Sequence, residues 1–162
     1  MKELVQAFVG IGANQGDLRA TLASAVEAIQ AIPQTSLVQR SSLYLTAPQD
    51  ATGADYLNAV VELRTQLAPR ELLEALFRIE DAHGRDRPYR NAPRTLDLDL
   101  LLFGDTQLQT PVLTVPHPRL HERAFVLRPL AEIAPALLIP GRGEVCMLMT
   151  HVADQRVDKL AA

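Results

Sequence analysis

Cysteine, lysine and large aromatic rings are scarce in this chain of 162 residues, and each shortage removes a class of protein. Cys146 is the single cysteine, so no internal disulfide can form and a reducing compartment is expected. No run approaches the ~18 consecutive apolar residues that a membrane span needs. The opening MKELVQAFVGIGANQG has one lysine before a short apolar run that leads straight into a glycine-rich segment. It reads as a first strand rather than a signal peptide, and a cytoplasmic location is expected. There is no G-x-x-x-x-G-K segment, which excludes a P-loop. Gly12 and Gly16 are separated by three residues where the dinucleotide fingerprint has two, so GIGANQG is expected to be a tight backbone turn. Sixteen basic against nineteen acidic residues leave a formal charge of −3, which speaks against a general nucleic-acid binder.

What remains is a globular composition, 48% hydrophobic and 22% charged, of a length that suits one domain spanning 1–162. Residues 4 to 11 predict a strand, and the helical spacing of Leu18, Leu22, Val26 and Ile29 predicts a helix from Asp17 that Pro33 closes. Residues 37 to 46 and 56 to 67 predict two more strands, joined by a turn-rich loop. Pro69, the apolar stripe Leu72, Leu73, Leu76 and Ile79, and Gly84 delimit a second helix. TLDLDLLLF, residues 95 to 103, predicts a further strand. The order βαββαβ is the ferredoxin-like arrangement, an α+β fold with an antiparallel sheet and both helices on one face. A proline-rich link, a helix near residues 121 to 133 and short irregular pieces form a C-terminal extension.

Only Lys2 and Lys159 are lysines; the other fourteen basic residues are arginines, whose planar fork suits phosphate. Arg85, Arg87, Arg90 and Arg94 fall within ten residues against one acid, Asp86. The strand that follows alternates, with Leu96, Leu98 and Leu100 on one face and Asp97 and Asp99 on the other. Two residues of rise bring those carboxylates within ~7 Å, which is unfavourable in a partly buried sheet unless a cation intervenes. Oxygen ligation favours Mg²⁺, completed by water and by phosphate oxygens. A solvated edge strand is the plain alternative. The arginines beside the pair turn the balance toward a phosphoryl-transfer site, where positioning and charge neutralisation do most of the chemistry.

His117 and His121 have the spacing of a helical metal pair, but Pro116 and Pro118 flank His117 and argue against a continuous helix there. His117, near Arg119 and Arg123, could instead contact a phosphate, while His121 reads as a surface residue. Cys146 reads as packing. Tyr56 and Phe125 read as ordinary core when each is taken alone, although a flat heterocycle would want two facing rings.

Residues 90 to 101, RNAPRTLDLDLL, resemble the signature of the 6-hydroxymethyl-7,8-dihydropterin pyrophosphokinase family of the folate pathway. Arg90, Ala92, Pro93, Arg94, Asp97, Leu98, Asp99, Leu100 and Leu101 fill its specified places. IGANQGD, DYLNAVVEL, RIEDAHGR and LTVPHPRLHERAFVLRPLAEIAP extend the resemblance over nearly the whole chain.

The resemblance implies transfer of pyrophosphate from ATP to the hydroxymethyl group of the pterin, with release of AMP and no covalent enzyme intermediate. It implies that Asp97 and Asp99 hold two Mg²⁺ ions, and that Arg85 and Arg94 engage ATP and the moving group. Arg87, His117 and Arg123 would add phosphate contacts, while Glu80, Leu100 and Thr114 would line the nucleotide site. Tyr56 and Phe125 match a pair that sandwiches the pterin. Asn58, the backbone of Thr46, Ala47 and Pro48, and Asp97 would complete the pterin set. Phe77 stands where relatives often carry Gln, and the tryptophan that closes over the pterin in some relatives is missing, with Tyr89 or Asn91 near its place. Partners are expected to be these small molecules, with no nucleic acid and no membrane, and the chain is expected to be a monomer.

Two rivals share the topology. One is a ferredoxin-like nucleic-acid-binding module, which would need stacking aromatics where this chain has Asp97 and Asp99. The other is an effector-binding regulatory domain that would not consume ATP.

Overall fold

Strict alternation organises the first strand of the computed structural model, which describes residues 3–47, 55–84 and 96–160. In β1 (Val5–Ala13), Ala7, Val9, Ile11 and Ala13 are buried toward one side, while Phe8, Gly10 and Gly12 face the other. Asp17 ends the following turn by capping α1 (Leu18–Gln30), its Oδ1 accepting from the Ala20 N–H at 3.1 Å. Leu22, Ala25 and Ile29 bury the inner stripe of that helix.

β2 (Thr35–Arg40) and β3 (Tyr44–Thr46) both pair with β4 (Tyr56–Thr65), which pairs in turn with β1. The single strand expected over 37 to 46 is therefore two. Ser41 makes the break. Its N–H donates to the Val60 carbonyl and its Oγ accepts from the Val60 N–H, both at 2.9 Å, so a side chain replaces part of the ladder and the chain bends. α2 (Pro69–His83) starts with Pro69 in its first turn and Glu71 Oε1 accepting from the Ala68 N–H at 2.8 Å, and ends at Gly84 as expected. β5 (Asp97–Phe103) pairs antiparallel with β1, giving the path β5-β1-β4-β3, with β2 also on β4.

Both α1 and α2 cover one face of this sheet, where Leu57, Ala59, Val61 and Leu63 of β4 meet Leu72 and Leu76. Each such leucine is worth roughly 1.5–3 kcal/mol of burial, so this face supplies much of the fold's stability. The architecture is the expected ferredoxin-like α+β fold with α1 and α2 on one side.

The C-terminal extension covers part of the opposite face. A short pair, β6 (Leu108–Gln109) and β7 (Thr114–Val115), leads through a cis Val115–Pro116 bond and a single 3₁₀ turn (Leu120–Glu122) to α3 (Ala124–Ile133). Ala124, Val126, Leu127 and Leu130 pack there on Phe8, Val60 and Leu102. β8 (Leu138–Ile139), β9 (Gly143–Glu144) and α4 (Val145–Leu148) follow, and β10 (Asp158–Lys159) adds itself to β3 at the sheet edge. Cys146 differs from expectation: it is exposed, and its Sγ donates to Glu144 Oε1 at 2.7 Å instead of packing. Among the described residues no helix is long and apolar enough to cross a membrane.

Candidate active site

Where α3 stops covering the second face, a cavity of about 420 Å³ opens over the ends of β1, β4 and β5. Its floor follows from strand register. Asn58 on β4 pairs with Gly12 on β1, which pairs with Asp97 on β5; one step along, Val60, Gly10 and Asp99 form a parallel row. Cross-strand partners share a face, so both aspartates, the asparagine and the two glycines look into the same space.

Gly10 and Gly12 correct an expectation. They lie inside β1 rather than in a turn, and among the three glycines of GIGANQG only Gly16 has the left-handed φ, +70°, that a turn uses. Their missing side chains open the cavity floor. A Cβ on Gly12 would stand 3.2 Å from Asn58 Oδ1, tighter than ordinary contact.

Asp97 and Asp99 are half-buried while Leu98 and Leu100 between and beyond them are 3% exposed on the helix side. The alternation expected of this strand is realised. Glu80 on α2 fixes the strand's entry, its Oε2 accepting from the Leu98 N–H at 2.7 Å. Glu80, Leu100 and Thr114 do not line the cavity: Leu100 belongs to the helix-side core, and Thr114 sits in the β6–β7 pair.

Positive charge arrives from the opposite wall. Arg123 caps the start of α3, lines the cavity and places its guanidinium 5.4 Å from the centroid of the Phe125 ring. Among the described residues its Nε is the one buried side-chain nitrogen or oxygen without a hydrogen-bond partner. Burial, then the like charge of Arg119, lowers the guanidinium's pKa, while Asp99, Glu122 and Asp97 oppose the shift. The group stays charged, as arginine does in proteins, and so offers a desolvated donor to an anion.

His117 N–H donates to the Leu101 carbonyl at 2.9 Å, and its Nδ1 accepts from the Arg119 N–H at 3.2 Å. Burial pushes its pKa below 6.5; Asp99 raises it, and Arg123 and Arg119 lower it further. A neutral imidazole with Nδ1 engaged carries its proton on Nε2. His121 lies in the 3₁₀ turn near Glu122, so the two histidines do not share a helix.

The remaining wall is amphipathic. Tyr56 and Phe125 line it, as do Thr46 and Ala47, and Asn58 Nδ2 donates to Thr46 Oγ1 at 2.9 Å. Aromatic planes, a buried carboxamide and a carboxylate pair within one cavity suit a flat polar heterocycle joined to an anion. Ile11, Ala59, Val60 and Val126 complete the lining and are not singled out in the sequence, while Gly10 and Gly12 read there as turn residues and not as part of a site. The alternation of glycines with Val9 and Ile11 was the available signal; their partners needed the strand pairing. Arg85, Arg87, Arg90 and Arg94, together with Pro48, Tyr89 and Asn91, lie outside the described residues.

Asp97 and Asp99 offer oxygen only, and among the described residues no cluster of three or more His, Cys, Asp or Glu could hold a metal unaided. A pair that leaves most of the coordination shell to water and substrate oxygens fits Mg²⁺.

Residues 8–135 match the family model of 7,8-dihydro-6-hydroxymethylpterin-pyrophosphokinase. The chain is 40% identical over 160 residues to the 2-amino-4-hydroxy-6-hydroxymethyldihydropteridine pyrophosphokinase of Haemophilus influenzae, covering 97% of this chain and 99% of that one. It is 46% identical over 139 residues to the enzyme of the same name from Methylorubrum extorquens, covering 85% and 88%. Among solved structures, an HPPK-DHPS in complex with substrates superimposes with a TM-score of 0.76 at 12% identity, over 94% of this chain and 44% of that chain. Wild-type Plasmodium falciparum HPPK-DHPS with pteroate gives 0.75 at 11%, over 95% and 43%. The chain thus spans less than half of those solved proteins, and at such identity the likeness is one of fold. Nothing in these comparisons supports the nucleic-acid-binding alternative, and Asp97 and Asp99 would repel a phosphate backbone from the open sheet face.

Proposed function

Since the chain belongs to the 7,8-dihydro-6-hydroxymethylpterin-pyrophosphokinase family and performs pyrophosphoryl transfer from ATP in folate biosynthesis, we propose that the cavity over β1, β4 and β5 is where that transfer occurs, with Asp97 and Asp99 as ligands of Mg²⁺. The observation that carries this placement is the cross-strand row Asn58–Gly12–Asp97. It puts a buried amide and a carboxylate on one floor, separated by a residue without a side chain.

In the proposed complex the pterin lies between Tyr56 and Phe125, its polar edge on Asn58 and on the backbone of Thr46 and Ala47, with Pro48 continuing that segment. Its hydroxymethyl oxygen then points toward Asp97 and Asp99. Asp97 and Asp99 would hold Mg²⁺, two ions by family resemblance, which when bound would neutralise charge on the phosphate oxygens. Arg123 offers a fixed, poorly solvated cation to the same oxygens, and the neutral His117 offers an Nε2–H donor. The attacking hydroxymethyl oxygen bonds to the β-phosphorus and gives its proton up to water, as the bond from that phosphorus to the α–β bridging oxygen breaks and AMP leaves with that oxygen. Positioning and charge neutralisation are the chain's main contributions. Arg85, Arg87 and Arg94 are assigned to ATP by resemblance, as are Glu80, Leu100 and Thr114. Since the Leu100 side chain packs in the helix-side core, any contact of that residue with the nucleotide would run through its backbone. One domain over 1–162, acting as a monomer, is the simplest form of this proposal.

Incubation with ATP, the hydroxymethyl-dihydropterin and Mg²⁺ should release AMP, and chelation of the metal should stop it. Release of ADP would refute the assigned chemistry; unabated turnover after exhaustive chelation would refute the metal's role.

A further inference from the structure

Asn58 is an asparagine 5% exposed in the cavity floor, and what holds its carboxamide decides what the floor presents. An asparagine amide is nearly symmetric in shape but not in chemistry, since one end accepts hydrogen bonds and the other donates. Two neighbours constrain it. Thr46, itself 5% exposed, accepts from Nδ2 at 2.9 Å, from β3 on one side of β4. On the other side Gly12 of β1 leaves room for Oδ1, which lies 3.2 Å from where a Cβ would stand. In this arrangement the donor end faces β3, and the acceptor end lies over Gly12, on the side of Asp97.

We propose that Thr46 is a positioning residue: its hydroxyl holds the Asn58 carboxamide with Oδ1 over Gly12, so that the cavity floor accepts hydrogen bonds from a heterocycle whose edge carries N–H groups. The inference rests on the site assignment above and adds a role for the Thr46 side chain, where that assignment uses its backbone. An amide turned the other way would set two N–H donors against the ring amide and amino group of the substrate. With a methyl in place of the hydroxyl, Nδ2 would lose its buried acceptor and the amide would be free to turn. Gly12 serves the same end by absence, since any side chain there would press directly on Oδ1.

The experiment is steady-state kinetics on Thr46→Val, Thr46→Ala and Thr46→Ser with both substrates varied. Thr46→Val is expected to raise KM for the pterin about tenfold and to leave KM for ATP within about twofold, as loss of one fixed hydrogen bond implies. Thr46→Ser, which keeps the hydroxyl, should restore the pterin KM. A pterin KM unchanged in active Thr46→Val, or KM values for pterin and ATP rising together, would overturn the positioning role. Should Thr46→Val fail to fold, Thr46→Ala decides: a selective rise in pterin KM supports the proposal and an unchanged value defeats it. A wild-type protein that forms no AMP would instead overturn the site assignment, and this inference with it.

Discussion

The two faces of the central sheet are made by the same strands and do opposite work. On the helix side, β1, β4 and β5 contribute Ala, Val, Ile and Leu, closed off by α1 and α2. On the other side, the alternate residues of the same strands include Gly10, Gly12, Asn58, Asp97 and Asp99, and α3 covers only part of them. Because side chains alternate along a strand, one face can be chosen for packing while its neighbour is chosen for chemistry, without either disturbing the backbone they share. The uncovered face can therefore carry like charges and empty space that a core could not tolerate.

The largest expected effect tests that division directly. Asp97→Asn or Asp99→Asn should lower AMP formation by about a thousandfold or more, since each removes charge from the reacting centre. Thermal unfolding should change little, because the variant relieves repulsion between half-buried carboxylates while giving up attraction to the Arg123 guanidinium. A parallel loss of stability would show that the pair also holds the fold together. The reciprocal substitution lies on the packed face. Leu76→Ala, at a site with no exposure, should cost about 2–5 kcal/mol in urea unfolding and leave turnover per folded molecule intact. If activity fell while the protein was still folded, the two faces would be coupled.

Smaller effects belong to the seam where the C-terminal extension grips the sheet. Tyr44 donates to Glu132 Oε1 at 2.5 Å, Ser42 donates to the same carboxylate through Oγ and N–H, and Arg128 lies 5.7 Å from the Tyr44 ring while donating to the Val157 carbonyl. Burial, then the bond to Glu132, raises the Tyr44 phenol well above its ordinary pKa. Burial alone would raise the Glu132 carboxyl, but the bonds from Tyr44 and Ser42 outweigh it and lower the pKa below 4.5. That stabilisation is present above pH 4.5 and is lost as pH falls through the depressed folded value. Tyr44→Phe should cost about 1 kcal/mol near neutrality. Glu132→Gln should show its deficit at pH 7 and lose it in acid; a deficit that persists there would rule out the carboxylate as the cause.

His117 gives the smallest shift. Its folded pKa is lowered, so below pH 6.5 the unfolded chain takes up a proton first and stability declines toward the folded value. His117→Asn should flatten the pH dependence of the unfolding midpoint in that interval. An unchanged slope would mean that another group titrates.

Legibility differed between elements for physical reasons. The boundaries of α2 could be read from Pro69 and Gly84, because both act on the backbone locally. The break between β2 and β3 could not, because Ser41 resembles any strand-flanking serine until Val60 lies opposite it. Asp97 and Asp99 announced themselves through their own alternation. Gly10 and Gly12 looked like turn residues, since a glycine's role depends on what approaches the space it leaves, and that neighbour, Asn58, is 46 residues from Gly12 in the chain.

The sequence by itself determined the order of elements, the aspartate pair on a single strand face and the family signature, since these rest on spacing within short segments. The tertiary structure alone decided that Asn58, Gly12 and Asp97 share a row, that Arg123 sits across from them with an unpartnered Nε, and that Glu80 accepts from the backbone of β5 at Leu98. Register and burial arise from the meeting of distant segments. A cavity is the space that such a meeting leaves unfilled, and no single segment encodes it.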